Sequence, residues 1–306
     1  MIDSNPPNYR PRRSVLFTPG ANPRAMEKAR NLPADGLIFD LEDAVAPAAK
    51  EKARTLVEKA LHAGGYGRRE LVLRINALAT PWGAADLATA ARSPIDAVLL
   101  PKVENAEEVR RAAALLDQFG APATMALWCM LETPRGILDA SAIAAASPRI
   151  AVLVAGTSDL TADLHALDAP DRAPLMTSLG LLLLAARAHG LAALDGVHLD
   201  LADDEGVVLA CRQGRALGFD GKTLIHPNQI APANAAFAPT QQELDRAKRF
   251  VAAYAEAEMR GAGVVLLDGR LIEELHAADA RRILAIAEAI DQIERIAGDS
   301  PPVRGS

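Results

Sequence analysis

The sequence predicts a (β/α)8 barrel carrying a C-terminal helical extension, and three observations lead there. Eight short runs rich in Val, Ile and Leu alternate with longer amphipathic stretches. The eight units fill roughly 225 residues, the size of such a barrel. No dinucleotide-type glycine loop follows the first run, where FTPGANPRAME stands in place of GxGxxG. An open doubly wound sheet, the competing topology, would ordinarily carry that loop. Runs that are apolar throughout belong to parallel strands covered on both faces. The barrel is expected over residues 1–236, and the extension, as lid or arm between copies, over residues 237–306.

In order, the strand runs are SVLFTP (Ser14–Pro19), GLIFDLE (Gly36–Glu42), LVLRIN (Leu71–Asn76) and AVLLPKV (Ala97–Val103). They continue with MALWCMLE (Met125–Glu132), IAVLVAGTSD (Ile150–Asp159), AALDGVHL (Ala192–Leu199) and FDGKTLI (Phe219–Ile225). Helical spacing governs the stretches between them. Over Asn105–Phe119 the apolar positions are Val109, Ala112, Ala113 and Leu116; over Asp203–Leu217 they are Val207, Val208, Cys211 and Ala216. In ALWCMLETPRGI the apolar run stops on Glu132, and Pro134 suits the first turn of a following helix, where its missing N–H costs nothing. Beyond Ile230, APANAAFAPT reads as a connector. A helix (Gln241–Arg260), a hairpin (VVLLDGRLI) with Asp-Gly at its turn, and a last helix (His276–Ile296) complete the tail.

Half of the 306 residues are apolar, enough for a sizeable core, and the net charge of −6 gives no footprint for nucleic acid or an anionic membrane. An anionic small molecule stays compatible, because a basic pocket can sit in an acidic whole. Cys129 and Cys211 stand far apart without metal-type spacing, which fits a reducing compartment. The polar N-terminus has no signal-peptide core, and no apolar run reaches the ~18 residues of a membrane span. A cytoplasmic protein is expected.

In a parallel barrel the catalytic rim is built from the C-terminal ends of the strands. The second run ends on Asp40, Glu42 and Asp43, the third on Arg74 and Asn76, the fourth on Lys102 and Glu104. The fifth ends on Glu132, the sixth on Asp159, and the eighth leads to His226. Glu132 and Asp159 on adjacent strands would converge and repel, unless a Mg2+ sat between them and completed its octahedron with water and substrate oxygens. The alternative makes Asp159 a helix cap and Glu132 the partner of Arg135. Arg74, inside an apolar run, either clamps a substrate carboxylate or carbonyl, or pairs with Asp40 or Glu42. Lys102 is either a rim cation or a solvated loop residue, and IHPNQ either holds a functional His226 or is a turn opened by Pro227.

Seven ordered segments carry a resemblance. RSVLFTPGANPRAMEKA, GLIFDLEDAV, RIN, LPKVE, LETPRGI, GTSDLTADL and GKTLIHPNQI together resemble the citrate lyase β-subunit-like branch of the HpcH/HpaI aldolase superfamily, which includes malyl-CoA and citramalyl-CoA lyases. The resemblance implies a TIM barrel with Mg2+ (Mn2+ as the alternative ion) on Glu132 and Asp159. It implies that Arg74 binds the 2-oxo acid or thioester carbonyl, that Glu132 lies against the substrate, and that Glu42 and Asp43 neighbour the metal's waters. Arg24 and Lys28 are the implied contacts to the coenzyme A phosphates, and homotrimers or hexamers are implied, with the tail over a neighbouring site. The family's tail motif G-K-M-I-D-x-P-H is met by GRLIEELH, so Glu273 stands where the family has a proton-transferring Asp.

The implied activity is reversible Mg2+-dependent carbon–carbon cleavage of a malyl-CoA- or citramalyl-CoA-type thioester to acetyl-CoA, or a homologue, and a 2-oxo acid. The alternatives are a metal-dependent aldolase on free 2-oxo acids, the β-subunit of a multi-chain citrate lyase, and a CoA-thioester hydrolase.

Overall fold

The computed structural model describes residues 9–298. Residues 1–8 and 299–306, with most of the segment read above as lacking a signal-peptide core, lie outside the described residues. Eight parallel strands, each paired with its sequence neighbours, close into a barrel when the first meets the eighth. They are β1 (Ser14–Pro19), β2 (Gly36–Asp40), β3 (Glu70–Arg74), β4 (Ala97–Leu100), β5 (Ala126–Leu131), β6 (Ile150–Ala155), β7 (Ala192–Asp195) and β8 (Gly221–Leu224). Each expected run contains its strand, and the expected TIM barrel is what forms.

Alternation along the strands divides the core in two. Val15, Ile38, Val72, Ala97, Leu99, Trp128, Val152, Val154 and Leu194 point inward and fill the barrel. Leu37, Phe39, Leu73, Val98, Leu127, Leu153 and Ala193 point outward against the helices. Arg12 closes the N-terminal mouth: its guanidinium lies 5.4 Å from the Trp128 ring centre and donates to Glu70 at 2.6 and 2.8 Å. The interior is thus packed below, and only the C-terminal rim holds inward-facing charge.

Helices form where the 3.6-residue spacing expects them. Asn105 caps Ala106–Gln118, which buries Val109, Ala112 and Leu116. Asp203 caps Asp204–Leu217, whose buried row runs through Val207, Ala210, Cys211 and Gly214, while Ala216 faces outward. The connector expectation is corrected: Ile230–Phe237 is a helix, burying Ile230, Ala233 and Phe237. Pro232 is tolerated because it stands in the first turn, where an amide has no intrahelical acceptor.

Residues 12–237 form one compact unit, and described residues 9–11 and 238–298 fall in another. In the second, the helix Gln241–Met259 is followed by a hairpin, β9 (Val264–Leu267) and β10 (Arg270–Glu273), and the helix Glu274–Gly298. Asp268 and Gly269 turn the hairpin with φ of +50° and +75°, the double left-handed turn that Asp-Gly favours. Tyr254, Ile272 and Ala277 form this unit's small core. Among the described residues no helix is long and apolar enough to cross a membrane.

Candidate active site

The rim is assembled by four strand ends. On β2 the inward row that begins with Ile38 continues to Asp40, whose carboxylate accepts from the backbone N–H groups of Glu42 (2.8 Å) and Ala44 (3.1 Å) and so folds the acidic loop back over the barrel. Lys50 fixes that loop from below, donating to the carbonyls of Leu41 (2.9 Å) and Glu42 (2.6 Å). On β3 the inward row continues from Val72 to Arg74. Its Nε and Nη2 grip Asp40 at 2.7 and 2.6 Å, and its Nη1 faces Glu42 (3.0 Å) and Asp43 (3.1 Å). The Phe17 ring stacks 4.7 Å from the guanidinium. The ion pair between Arg74 and Asp40 is therefore present. One edge of the guanidinium is committed to it, and only the Nη1 side meets the functional acids.

Glu132 directly follows β5. Thr133 accepts from Gly136 N–H and Pro134 opens the next helix, which explains the abrupt end of the strand. A side chain at residue 156 would put its Cβ 2.3 Å from the Glu132 Cβ, so Gly156 is what admits the carboxylate. Glu132 is fully buried; Oε1 accepts from the backbone N–H of Lys102 at 2.7 Å, while Oε2 is buried without a hydrogen-bond partner. Burial first, and the charge of Asp159 second, push its pKa up to about 8. Asp159 sits in the first turn of the helix Thr157–Asp163 after β6, yet that helix has no side-chain cap. Neither alternative local role is taken: Asp159 does not cap the helix, and Glu132 bonds Lys102 rather than Arg135.

Lys102, which the sequence left open, proves central. Its ammonium donates to Glu42 at 2.6 Å and Asp43 at 3.4 Å, and stands 4.0 Å from Asp159. Burial opposes its charge, but Glu42 and the surrounding carboxylates outweigh that and raise its pKa. Burial and the hydrogen bond to Asp43 raise Glu42. Glu42, Asp43, Arg74, Glu132 and Asp159 are thereby brought to one place.

Arg24 and Lys28 stand one turn apart on the exposed side of the helix Pro23–Ala29, which leaves the same end of β1. Among the described residues no hydrogen bond or ion pair ties them to the acid cluster. His226 is a turn residue: its side chain accepts from Asn228 N–H, and Pro227 opens the turn. Glu273 ends β10 in the other unit, where its backbone N–H donates to Nδ1 of His276 at 3.2 Å.

The cluster suits a divalent ion. Five carboxylates (Asp40, Glu42, Asp43, Glu132, Asp159) face two cations, and a buried carboxylate oxygen without a donor calls for one more. Among the described residues no three metal-type side chains form a ready ligand set, but Mg2+ takes one or two protein carboxylates when water and substrate supply the rest.

Comparison with known proteins agrees. The family model HpcH/HpaI aldolase/citrate lyase matches residues 13–227. A (3S)-malyl-CoA thioesterase of Cereibacter sphaeroides is 49% identical over 280 residues, 92% of this chain and 96% of that one. The citrate lyase subunit beta of Leuconostoc mesenteroides is 38% identical over 287 residues, 92% of this chain and 95% of that one. Among solved structures, the CitE protein of Mycobacterium tuberculosis in complex with magnesium, acetoacetate and coenzyme A matches with a TM-score of 0.72 and 32% identity, over 90% of this chain and 97% of that one. The chain belongs to the HpcH/HpaI aldolase/citrate lyase family, as its seven motifs imply.

Proposed function

We propose that this chain is a Mg2+-dependent enzyme acting on a malyl-CoA-type thioester, and that hydrolysis of the thioester is its principal outcome. Near-full-length likeness to a (3S)-malyl-CoA thioesterase carries this reading. The partnerless buried oxygen of Glu132 beside Asp159 supports the metal dependence. Carbon–carbon cleavage to acetyl-CoA and a 2-oxo acid is the second reading, favoured by the citrate lyase relatives. Coenzyme A enters as part of the substrate, as in the CitE complex, and Arg24 and Lys28 are its proposed phosphate contacts. An assembly of three or six copies also belongs to this reading.

Glu132 and Asp159 would hold the ion, which when bound supplies fixed positive charge for the acyl unit's carboxylate and hydroxyl oxygens. Arg74, oriented by Asp40, directs Nη1 at negative charge developing on the reacting carbonyl; such charge is greatest in the transition state, where preorganised donors act most. Glu42, buried and shifted upward, is suited to hold a proton taken from an attacking water. Water adds to the thioester carbon, the C–S bond breaks, and the thiolate takes up a proton. In the cleavage reading a base instead removes the hydroxyl proton, and Glu273, from the same or a neighbouring chain, is the proposed base.

One experiment separates the outcomes. Malyl-CoA is incubated with enzyme and Mg2+, with and without EDTA, and free thiol, acetyl-CoA and glyoxylate are measured. Free thiol with malate supports hydrolysis, acetyl-CoA with stoichiometric glyoxylate supports cleavage, and full activity under chelation overturns the metal.

A further inference from the structure

Lys102 is held in a way that an ordinary loop lysine is not. It follows β4 with φ of +49°, in the left-handed region that side chains adopt at a cost. That conformation accompanies two bonds in different directions. The backbone N–H reaches Glu132 Oε1 at 2.7 Å, and the side chain crosses the rim to Glu42 at 2.6 Å. Asp43 Oδ1 at 3.4 Å and Asp159 Oδ1 at 4.0 Å complete its surroundings. The ammonium side chain is 38% exposed, so it can be drawn off the acids without unfolding anything.

We propose that Lys102 is a positioning residue and internal counter-ion of the rim: its N–H fixes which Glu132 oxygen stays free, and its ammonium holds Glu42, Asp43 and Asp159 together until a divalent ion takes over part of that charge. This rests on the reading of Glu132 and Asp159 as ligands of a divalent ion. The acid loop of β2 and the carboxylates of β5 and β6 share one sign of charge, and without a cation they repel across the barrel mouth. Arg74 does not substitute, because its Nε and Nη2 edge is given to Asp40. The ammonium and the ion therefore compete electrostatically, although both favour the same closed arrangement of acids.

Competition gives a signature that a purely structural lysine lacks. In the full-length protein, Lys102→Met should lower the thermal midpoint without divalent ion. It should also tighten Mg2+ binding on the order of fivefold by titration calorimetry, the size of one charge–charge interaction at a partly exposed site. The midpoint gain on adding Mg2+ should exceed that of the wild type. Lys102→Arg, which keeps the charge, should bind Mg2+ within about twofold of the wild type. Equal or weaker Mg2+ binding by Lys102→Met overturns the counter-ion role while leaving the metal reading intact. A wild-type protein that binds no Mg2+ overturns the metal reading itself, and this inference with it.

Discussion

Two buried ionic clusters sit on one barrel, and they are built to opposite ends. On the outer side of β7 and β8, Asp195 and Lys222 are both fully buried. Asp195 accepts from Arg172 at 2.7 and 2.8 Å, from Lys222 at 3.0 Å and from Gly196 N–H at 2.9 Å, and Lys222 also donates to the Gly196 carbonyl. Each carboxylate oxygen there has its donors. On the rim, Glu132 is equally buried, yet one oxygen has none and acids outnumber cations. Saturated charge holds the chain in one shape and asks nothing of a ligand; unsaturated charge stores an affinity for a cation.

That contrast breaks if the two clusters respond alike to neutralisation. Glu132→Gln is expected to lower turnover of malyl-CoA about 10³-fold, the scale of losing a principal electrostatic element, and to abolish the midpoint gain on adding Mg2+. Its ion-free thermal midpoint should stay within a few degrees of the wild type. Lys222→Met should do the reverse. Leaving Asp195 buried beside one fewer cation costs about 3–5 kcal/mol, read as a lowered denaturation midpoint, while Mg2+ affinity of the folded fraction is unchanged. A Glu132→Gln protein that unfolds as readily as Lys222→Met would make the rim another structural cluster.

Arg74→Lys sharpens the same division inside a single residue. The guanidinium joins a saturated edge to an exposed-edge nitrogen, and a lysine cannot serve both. Turnover should fall about 10²-fold, with a smaller loss of stability than Lys222→Met because Asp40 keeps its bonds to the loop N–H groups.

Protons test the rim more gently. Glu132 is raised to about 8 in the ion-free protein, from 4.5. The folded chain thus binds more protons than the unfolded one between those values, so the Glu132 contribution to ion-free stability is present at low pH and is lost as pH rises through the folded value. Divalent binding displaces that proton, so Mg2+ affinity should climb as pH rises from 6 toward 8. Titration calorimetry in buffers of different ionisation enthalpy checks this by counting released protons. Affinity independent of pH would mean that Glu132 is already ionised.

The barrel was legible because continuous apolar runs leave few other ways to bury both faces of a sheet. The rim was legible as a list, since each run ends on a charge, and the family motifs gave Glu132, Asp159 and Arg74 their expected roles. What the residues alone left open was geometry. Nothing in LPKVE shows that Lys102 adopts a left-handed backbone, because that conformation is imposed by what β4 and β5 place around it. Asp40 looked like one acid among three, and its service to both the loop and Arg74 depends on the register of β2 with β3. The helix Ile230–Phe237 was hidden by two prolines, of which only the one in its first turn falls inside it.

The smallest expected effect concerns the tail. Glu273 reaches about one C–C bond further than the Asp of the family motif, and a displacement of that size weakens proton transfer without removing it. If hydrolysis is the main outcome and the tail carboxylate serves only the cleavage branch, Glu273→Asp should leave thiol release within about twofold and raise the glyoxylate yield severalfold. If Glu273 serves both branches, the two products should move together. The ratio of glyoxylate to free thiol, measured in one reaction, is insensitive to how much enzyme has folded, so even a small shift assigns the residue to one branch or to both.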